Sequence, residues 1–318
     1  IIYINKGEET LRYNILKILR QFAQQKLQSR KEESKVKERH LNYYLNLAEK
    51  AYKEQHESSH IWLTKLKQEN DNLISALNWA DMNCPEEFRI LAGYLSWYWV
   101  FVSNLLLGRQ YLERAILKGT EQTEIHARIL YGLGNLTYLF KDRNNVIDLL
   151  SESLSLWQRF KNPFEEALVL GILSMSYQSI LKEHEEAIQF SERCLERAKE
   201  VGKPGIMNFA LRWICQAMVH SRKFEQALPY VEEFLASSES LNSLMSISAA
   251  LHFHSDCALG LKDFPEAEKR YRLATKTAKK YGIVFNSYAE FTGDRLCSFR
   301  SATMGQIHSF ERGSSCQF

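Results

Sequence analysis

The segment richest in potential metal ligands is HFHSDC at residues 252–257. On a helix, His252 and Asp256 lie on one face because they are four residues apart, whereas His254 and Cys257 share a different face. A zinc site needs three or four ligands that converge on a tetrahedron. Because the two pairs point apart, we expect ordinary helix residues here and predict neither a metal site nor a cofactor.

Paired acidic residues could support general acid–base catalysis, which needs two carboxylates facing one cleft. The acidic pairs of this sequence are adjacent on helices and therefore point to different sides: Glu32-Glu33, Glu185-Glu186 and Glu232-Glu233. The sequence contains no GxSxG nucleophile motif, no cysteine that can be matched to a histidine, and no GxxxxGK[ST] phosphate-binding loop. We therefore predict no catalytic residue and expect that the chain is not an enzyme.

The elements that carry these residues are expected to be long helices. The 318 residues are 45% hydrophobic and 25% charged, and only 5 prolines and 14 glycines are present, which favours helices joined by short loops. The net charge is +3, and the local basic excess from Arg20 to Lys37 lacks the aromatic-interleaved pattern of RNA or single-strand binders, so we predict no direct nucleic-acid contact. Six scattered cysteines without a CxxC pair, and the lack of an apolar run long enough to span a bilayer, favour a cytoplasmic protein that does not enter a membrane.

A repeat organises the chain. Four segments share an apolar helix, a short polar turn with a basic residue, and a second helix with a small residue near its start. We call these small residues the anchors, and they follow one another at steps of 41, 40 and 40: Val146, Ala187, Ala227 and Ala267. An earlier copy fits with Gly108 as its anchor, a step of 38. Such hairpins bury their apolar faces by stacking on one another.

The period leaves two repeat types open, because about 40 residues is longer than a standard tetratricopeptide repeat and close to a HEAT repeat. Leu133-Gly134 lies twelve residues before Val146, which is the tetratricopeptide spacing. We therefore prefer long tetratricopeptide repeats to HEAT repeats.

The predicted fold is all-α: a right-handed solenoid of tandem helix–turn–helix, tetratricopeptide-like repeats with a short N-terminal β-hairpin. The hairpin is indicated by the alternating pattern of IIYINKGEETLRYNIL. We expect four regions: residues 1–28 with the hairpin and a connecting helix, a helical linker hairpin over 29–85, the repeat array over 86–288, and an irregular tail over 289–318.

An ordered series of segments carries a family resemblance: RYNILKILRQFAQQKL, RHLNYYLNLAEKA, WLTKLKQENDNLISALNWA and GRQYLERAIL. It resembles the region downstream of the ATPase in AfsR- and LuxR-type signal-transducing (NB-ARC/STAND) bacterial transcriptional regulators, with ENDNLISALNW as its most specific part. The resemblance covers roughly residues 10 to 275. It implies a tetratricopeptide-like sensor array, a hairpin that is the remnant of a winged-helix wing, and an ATPase domain upstream of this chain.

The first helix of each hairpin is expected to line a concave groove that binds a ligand. Counting from the anchors places a mixed set of polar and aromatic residues there: Arg128, Tyr131, Asn135, Tyr138, Ser176, Ser179, Arg212, Gln216, His220, His252 and Asp256. Tyr131, Arg212 and His252 lie at the same offset before their anchors and are expected to form an exposed row, which Ile172 interrupts. A row suits an extended peptide better than a compact metabolite.

Two functions remain open at this point, together with a third interpretation, a decayed fragment, which the aperiodic tail suggests. The chain is either the binding and regulatory module of a signal-transducing ATPase or transcriptional regulator, or a free-standing adaptor that docks peptides in its groove. For both functions, the expected partner is a protein or peptide. For the regulatory module, a small inducer ligand is an alternative partner.

Overall fold

The computed structural model describes residues 2–5, 12–15, 17–102, 104–119, 121–140 and 143–280. The chain forms two compact units, residues 1–120 and 121–318. The tail predicted over 289–318 and the end of the predicted array at residue 288 lie outside the described residues.

The first unit contains, in its described residues, a two-stranded antiparallel sheet and six helices. The strands are β1 (Ile2–Asn5) and β2 (Arg12–Ile15), and Ile2 is paired with Ile15. The helices are α1 (Lys17–Ser29), α2 (Glu33–Lys53), α3 (Ser59–Gln68), α4 (Asn70–Asn83), α5 (Pro85–Phe101) and α6 (Leu105–Leu117). The range 29–85, expected to be a simple hairpin, holds three helices, because α3 and α4 meet at Glu69 and form a bent second arm.

The second unit contains eight helices within the part of the chain that the structure describes. They are α7 (Glu124–Leu139), α8 (Arg143–Phe160), α9 (Pro163–Ser176), α10 (His184–Val201), α11 (Pro204–His220), α12 (Phe224–Ser240), α13 (Leu244–Gly260) and α14 (Phe264–Lys280). A π-helical turn, Tyr177–Leu181, continues α9. Consecutive helices pack in pairs and each pair packs on the next, so the prediction of an all-α array of stacked hairpins is confirmed.

The anchors lie where the two helices of a hairpin approach each other. Their side chains are fully buried in the four hairpins described in the second unit: Val146, Ala187, Ala227 and Ala267. In the first unit, a Cβ on Gly108 would lie 2.7 Å from the Cβ of Trp99, so this contact between α5 and α6 accepts only glycine. The repeat positions identified in the sequence are therefore buried between helices.

The turns inside the hairpins share one backbone geometry. Lys182, Arg222 and Lys262 each lie five residues before an anchor and adopt the left-handed conformation, with φ of 67°, 58° and 66°. After α11, the amide of Arg222 donates to the carbonyl of Val219, and the next amide donates to Met218, which is a Schellman motif. The basic residue that recurs in the turns is thus the left-handed residue that ends each first helix.

One hairpin is a residue longer than the next two, and the π-helical turn accommodates the difference. The left-handed residues between hairpins are Lys161, Gly202 and Asn242. The span from these to the left-handed residue of the following turn is one residue longer in the α9 hairpin (161 to 182) than in the other two (202 to 222 and 242 to 262). A π-helical turn is a one-residue insertion into an α-helix, so the anchor and the turn keep their places.

The segment ENDNLISALNW has a structural role in the first unit. Three of its polar residues accept hydrogen bonds from tyrosines on three other helices: Glu69 from Tyr44 at 2.7 Å, Asn70 from Tyr98 at 3.3 Å and Asn78 from Tyr111 at 2.9 Å. Its apolar residues Leu73, Ala76 and Leu77 are buried. The segment therefore joins α2, α5 and α6 around α4.

Candidate ligand-binding cleft

The first of the predicted groove residues lie in a buried polar cluster between α7, α8 and α9. Arg128 is 8% exposed and forms a 2.8 Å ion pair with Glu165, which is 3% exposed. The guanidinium also lies 5.3 Å from the centre of the Trp157 ring. Tyr131 is 5% exposed, and burial followed by the nearby Glu165 carboxylate raises its pKa well above the ordinary value. The neutral hydroxyl is therefore retained at physiological pH.

The last hairpin buries two more of the predicted residues. His252 packs edge-on against the ring of Tyr271, and the hydroxyl of Tyr271 donates a hydrogen bond to Asp256. Both predicted residues are less than a tenth exposed. The segment 252–257 therefore takes part in packing between α13 and α14, and the described residues contain no group of three potential metal ligands.

The three residues predicted to form an exposed row are not all exposed. Tyr131 and His252 are buried, and Arg212 is half-buried, with its guanidinium 5.2 Å from the centre of the Trp213 ring. The expectation that all three are exposed is wrong, because each first helix is covered by the helix that follows it in the stack. The position equivalent to Arg212 in the α9 hairpin is Gly171, because each lies ten residues after the left-handed residue that precedes its hairpin. Counting back from the anchor gave Ile172, since that count crosses the extra residue of the π-helical turn.

The remaining predicted residues differ in burial. Three are half-buried: Asn135, Tyr138 and Gln216. Ser176 is fully buried and its hydroxyl donates to the carbonyl of Ile172, so it belongs to the interior of α9. Which of them touches a ligand stays a prediction.

A cleft of about 630 Å³ lies across three successive hairpins. Three of the predicted residues, one from each hairpin, meet in its wall: Ser179, His220 and Asp256. The other lining residues come from the π-helical turn, the turns inside the hairpins and the adjacent helix ends: Gln178, Lys182, His184, Val219, Arg222, Phe224, Leu259 and Gly260. Equivalent positions thus supply the wall, since Ser179, Val219 and Leu259 follow one another at steps of 40. We call this space the three-hairpin cleft.

Polar and apolar groups share the wall of the three-hairpin cleft. Lys182 and Arg222 are exposed cations, and the side-chain amide of Gln178 is 2.8 Å from Nδ1 of His184. The ring of Phe224 packs so closely on Gly260 that a Cβ there would lie 2.2 Å from it. The arrangement can bind a ligand that combines polar and apolar groups.

The sequence interpretation missed the turn residues of this cleft. It placed contacts on the first helices only, although the recurring basic residue five positions before each anchor was visible as Lys182, Arg222 and Lys262. That constant period was the available signal. The π-helical turn had a weaker one, which was the single step of 41 between Val146 and Ala187.

A second cleft of about 500 Å³ lies between α8, α9 and α10. Its wall holds three basic and three acidic residues, together with Gln158, Pro163 and Leu170: Lys161, Arg193, Arg197, Glu166, Glu196 and Glu200. Arg197 and Glu200 are joined at 2.8 Å. Because the charges balance and one pair is already joined, this cleft offers less to a charged ligand than the three-hairpin cleft.

Several solved structures share this architecture. A Rap protein complexed with competence and sporulation factor aligns over 76% of this chain and 77% of its own, with a TM-score of 0.59 and 12% identity. The apo form of RapI aligns over 86% and 75%, with a TM-score of 0.54 and 16% identity. The fold is a tetratricopeptide-like solenoid. This agrees with the preference for tetratricopeptide over HEAT repeats.

A third similar structure is a signal transduction ATPase with numerous domains (STAND) from Pyrococcus horikoshii, which has a tetratricopeptide repeat sensor. It aligns over 77% of this chain but 41% of its own, with a TM-score of 0.54 and 14% identity. No family model matches the sequence, and no curated protein matches it. In the described residues, no helix is long and apolar enough to span a membrane.

Proposed function

We propose that this chain is a regulatory repeat module that binds a protein or peptide partner in the three-hairpin cleft. The observation that carries the proposal is the composition of the cleft wall, to which three successive hairpins contribute equivalent residues. A site that repeats along a stack suits a ligand that is extended along the stack.

The regulatory role that we propose is that of the sensor array of a signal-transducing ATPase of the AfsR/LuxR-type STAND regulators. Two observations support it. The segment ENDNLISALNW resembles that family, and the STAND protein with a tetratricopeptide repeat sensor shares the fold. In this role, the occupied cleft restrains or releases an ATPase domain outside the residues described.

The binding function is tested by selecting peptides from a displayed random library on the purified full chain. Selected peptides should bind the natural chain, and Ser179→Trp should weaken them at least tenfold because its indole fills the cleft. Glu192→Trp on the exposed face of α10 is the control and should bind normally. Equal affinity for all three proteins, or no enrichment of any peptide, would contradict the proposal.

The sensor role is tested separately, on the gene. We expect the reading frame upstream of Ile1 to encode a GxxxxGK[ST] phosphate-binding loop. A frame without such a loop would contradict the sensor role and leave the adaptor function, which the peptide selection tests on its own.

A further inference from the structure

We propose that the three-hairpin cleft is selective for an acidic peptide segment, whose carboxylates are bound by Lys182 and Arg222. This inference rests on the proposed binding function and adds the chemical class of the ligand. The two cations occupy equivalent positions in neighbouring hairpins, one repeat apart, and both line the cleft.

The charges of the cleft wall are unequally neutralised. Within the described part of the chain, neither Lys182 nor Arg222 has an acidic side chain within ion-pair distance, whereas their neighbour Lys223 is bound to Glu185 at 3.0 Å. Among the described residues that line the wall, the one acidic side chain is Asp256, which accepts a hydrogen bond from the buried Tyr271 hydroxyl. The wall therefore holds two exposed cations against one largely buried carboxylate, and its net charge is positive.

The backbone conformation of these two residues bears on why they are charged. Lys182 and Arg222 adopt the left-handed conformation, in which a side chain is sterically less favourable than the hydrogen of glycine. Gly202 occupies the same conformation between hairpins, so this fold accommodates glycine at such positions. A cation at the end of a helix offsets part of the steric cost through the helix dipole. The same contribution applies at Lys161 and Lys262, which do not line this cleft, so the role toward a ligand rests on the position of Lys182 and Arg222 in the cleft wall.

The histidines of the wall complete a polar rim. Nδ1 of His184 lies within hydrogen-bond distance of the Gln178 amide, which orients the ring. If the amide nitrogen donates to Nδ1, the neutral imidazole carries its proton on Nε2, which is a donor for a carboxylate. In that tautomer, His184 adds one donor to the two cations of the wall.

The apolar part of the wall limits the ligand further. Val219, Phe224 and Leu259 lie beside the cations. A peptide with carboxylates on either side of an apolar residue can bury that residue there and keep its charges on the rim. An entirely charged ligand would leave the apolar surface uncovered.

The test uses the full chain and two fluorescein-labelled peptides, EELEE and its neutral counterpart QQLQQ. Fluorescence anisotropy at low ionic strength should show at least tenfold tighter binding of EELEE. Replacing both cations, in Lys182→Gln/Arg222→Gln, should weaken EELEE at least tenfold and leave QQLQQ unchanged.

The matched control is Lys31→Gln/Lys161→Gln. It removes the same charge from two other left-handed residues, with φ of 58° and 53°, outside the three-hairpin cleft. The control should bind EELEE within twofold of the natural chain. An equal loss in both double variants would show unspecific attraction to net charge and overturn the inference.

The outcomes also separate this inference from the proposed function. If library selection yields peptides that need the cleft but are neutral, and QQLQQ binds as tightly as EELEE, the acidic ligand class is wrong while the binding function stands. If no selected peptide depends on Ser179, both are wrong.

Discussion

Two regions of the array, predicted from sequence as parts of one groove, differ in burial and in openness. At the α7 end, Arg128 and Tyr131 are buried around Glu165. Across α9, α11 and α13, Ser179 and His220 line an open cleft. Both regions hold polar residues on first helices, yet one stabilises the stack and the other is available to a ligand.

The difference arises from what the next hairpin places opposite. Glu165 is 37 residues beyond Arg128 and stands at the start of α9, where its carboxylate neutralises the guanidinium. The three-hairpin cleft lies at the opposite ends of the first helices, where the π-helical turn and the helix ends line an open space. Whether a polar residue on a first helix serves packing or binding therefore depends on the residue that faces it from the next hairpin.

The largest expected effect is on the buried region. Arg128→Ala leaves the Glu165 carboxylate buried without its cation, so the free energy of unfolding should fall by about 3–5 kcal/mol. Urea denaturation measures this. The control is Arg109→Ala, which breaks the exposed pair with Glu113. Loss of such an exposed pair should cost about 0.5 kcal/mol. Similar losses in the two variants would mean that the α7 region is not the structural one.

The next effect concerns the helix packing at the anchors, on which both regions depend. Ala227→Trp adds an indole where α11 and α12 approach, and overpacking should cost about 1–3 kcal/mol or more. The control is Glu232→Trp, at an exposed position on the same helix. A surface substitution of this kind should change the free energy of unfolding by about 0.5 kcal/mol or less. Thermal unfolding distinguishes them, and an unchanged melting temperature in Ala227→Trp would show that the anchor is misplaced.

A change in the π-helical turn should affect the three-hairpin cleft but not the buried region. Deleting Ser179 removes the extra residue of the α9 hairpin and should convert the turn to regular α-helix. We expect no decrease in the free energy of unfolding and at least tenfold weaker binding of the peptides selected on the cleft. A deletion that destabilises the chain but binds normally would contradict the assignment of this turn to the cleft.

The smallest effect is at the left-handed turn residues. Arg222→Gly should raise the free energy of unfolding by about 0.5–1 kcal/mol, because glycine adopts this conformation without the steric cost of a side chain. Gly202→Ala should lower it by a similar amount. The same Arg222→Gly variant should bind EELEE more weakly. If stability and binding fall together, the side chain serves the fold and not the ligand.

Much of the fold could be predicted from the sequence because its determinants are local. Val146, Ala187, Ala227 and Ala267 recur at nearly constant steps, and a small residue is needed wherever two helices approach closely. The site was less predictable because burial depends on partners far apart in the chain. Glu165 opposite Arg128 and Tyr271 opposite Asp256 have no signature in the local pattern.

Hydrogen–deuterium exchange of the full chain, with and without a selected peptide, tests the central claim most directly. We predict slower exchange in three separate segments at once, residues 177–184, 219–224 and 256–260, which form the wall of the three-hairpin cleft. Protection confined to residues 158–170 and 193–200 would place the ligand in the second cleft instead. Protection of a single hairpin, or of none of these segments, would contradict a binding site built from three successive repeats.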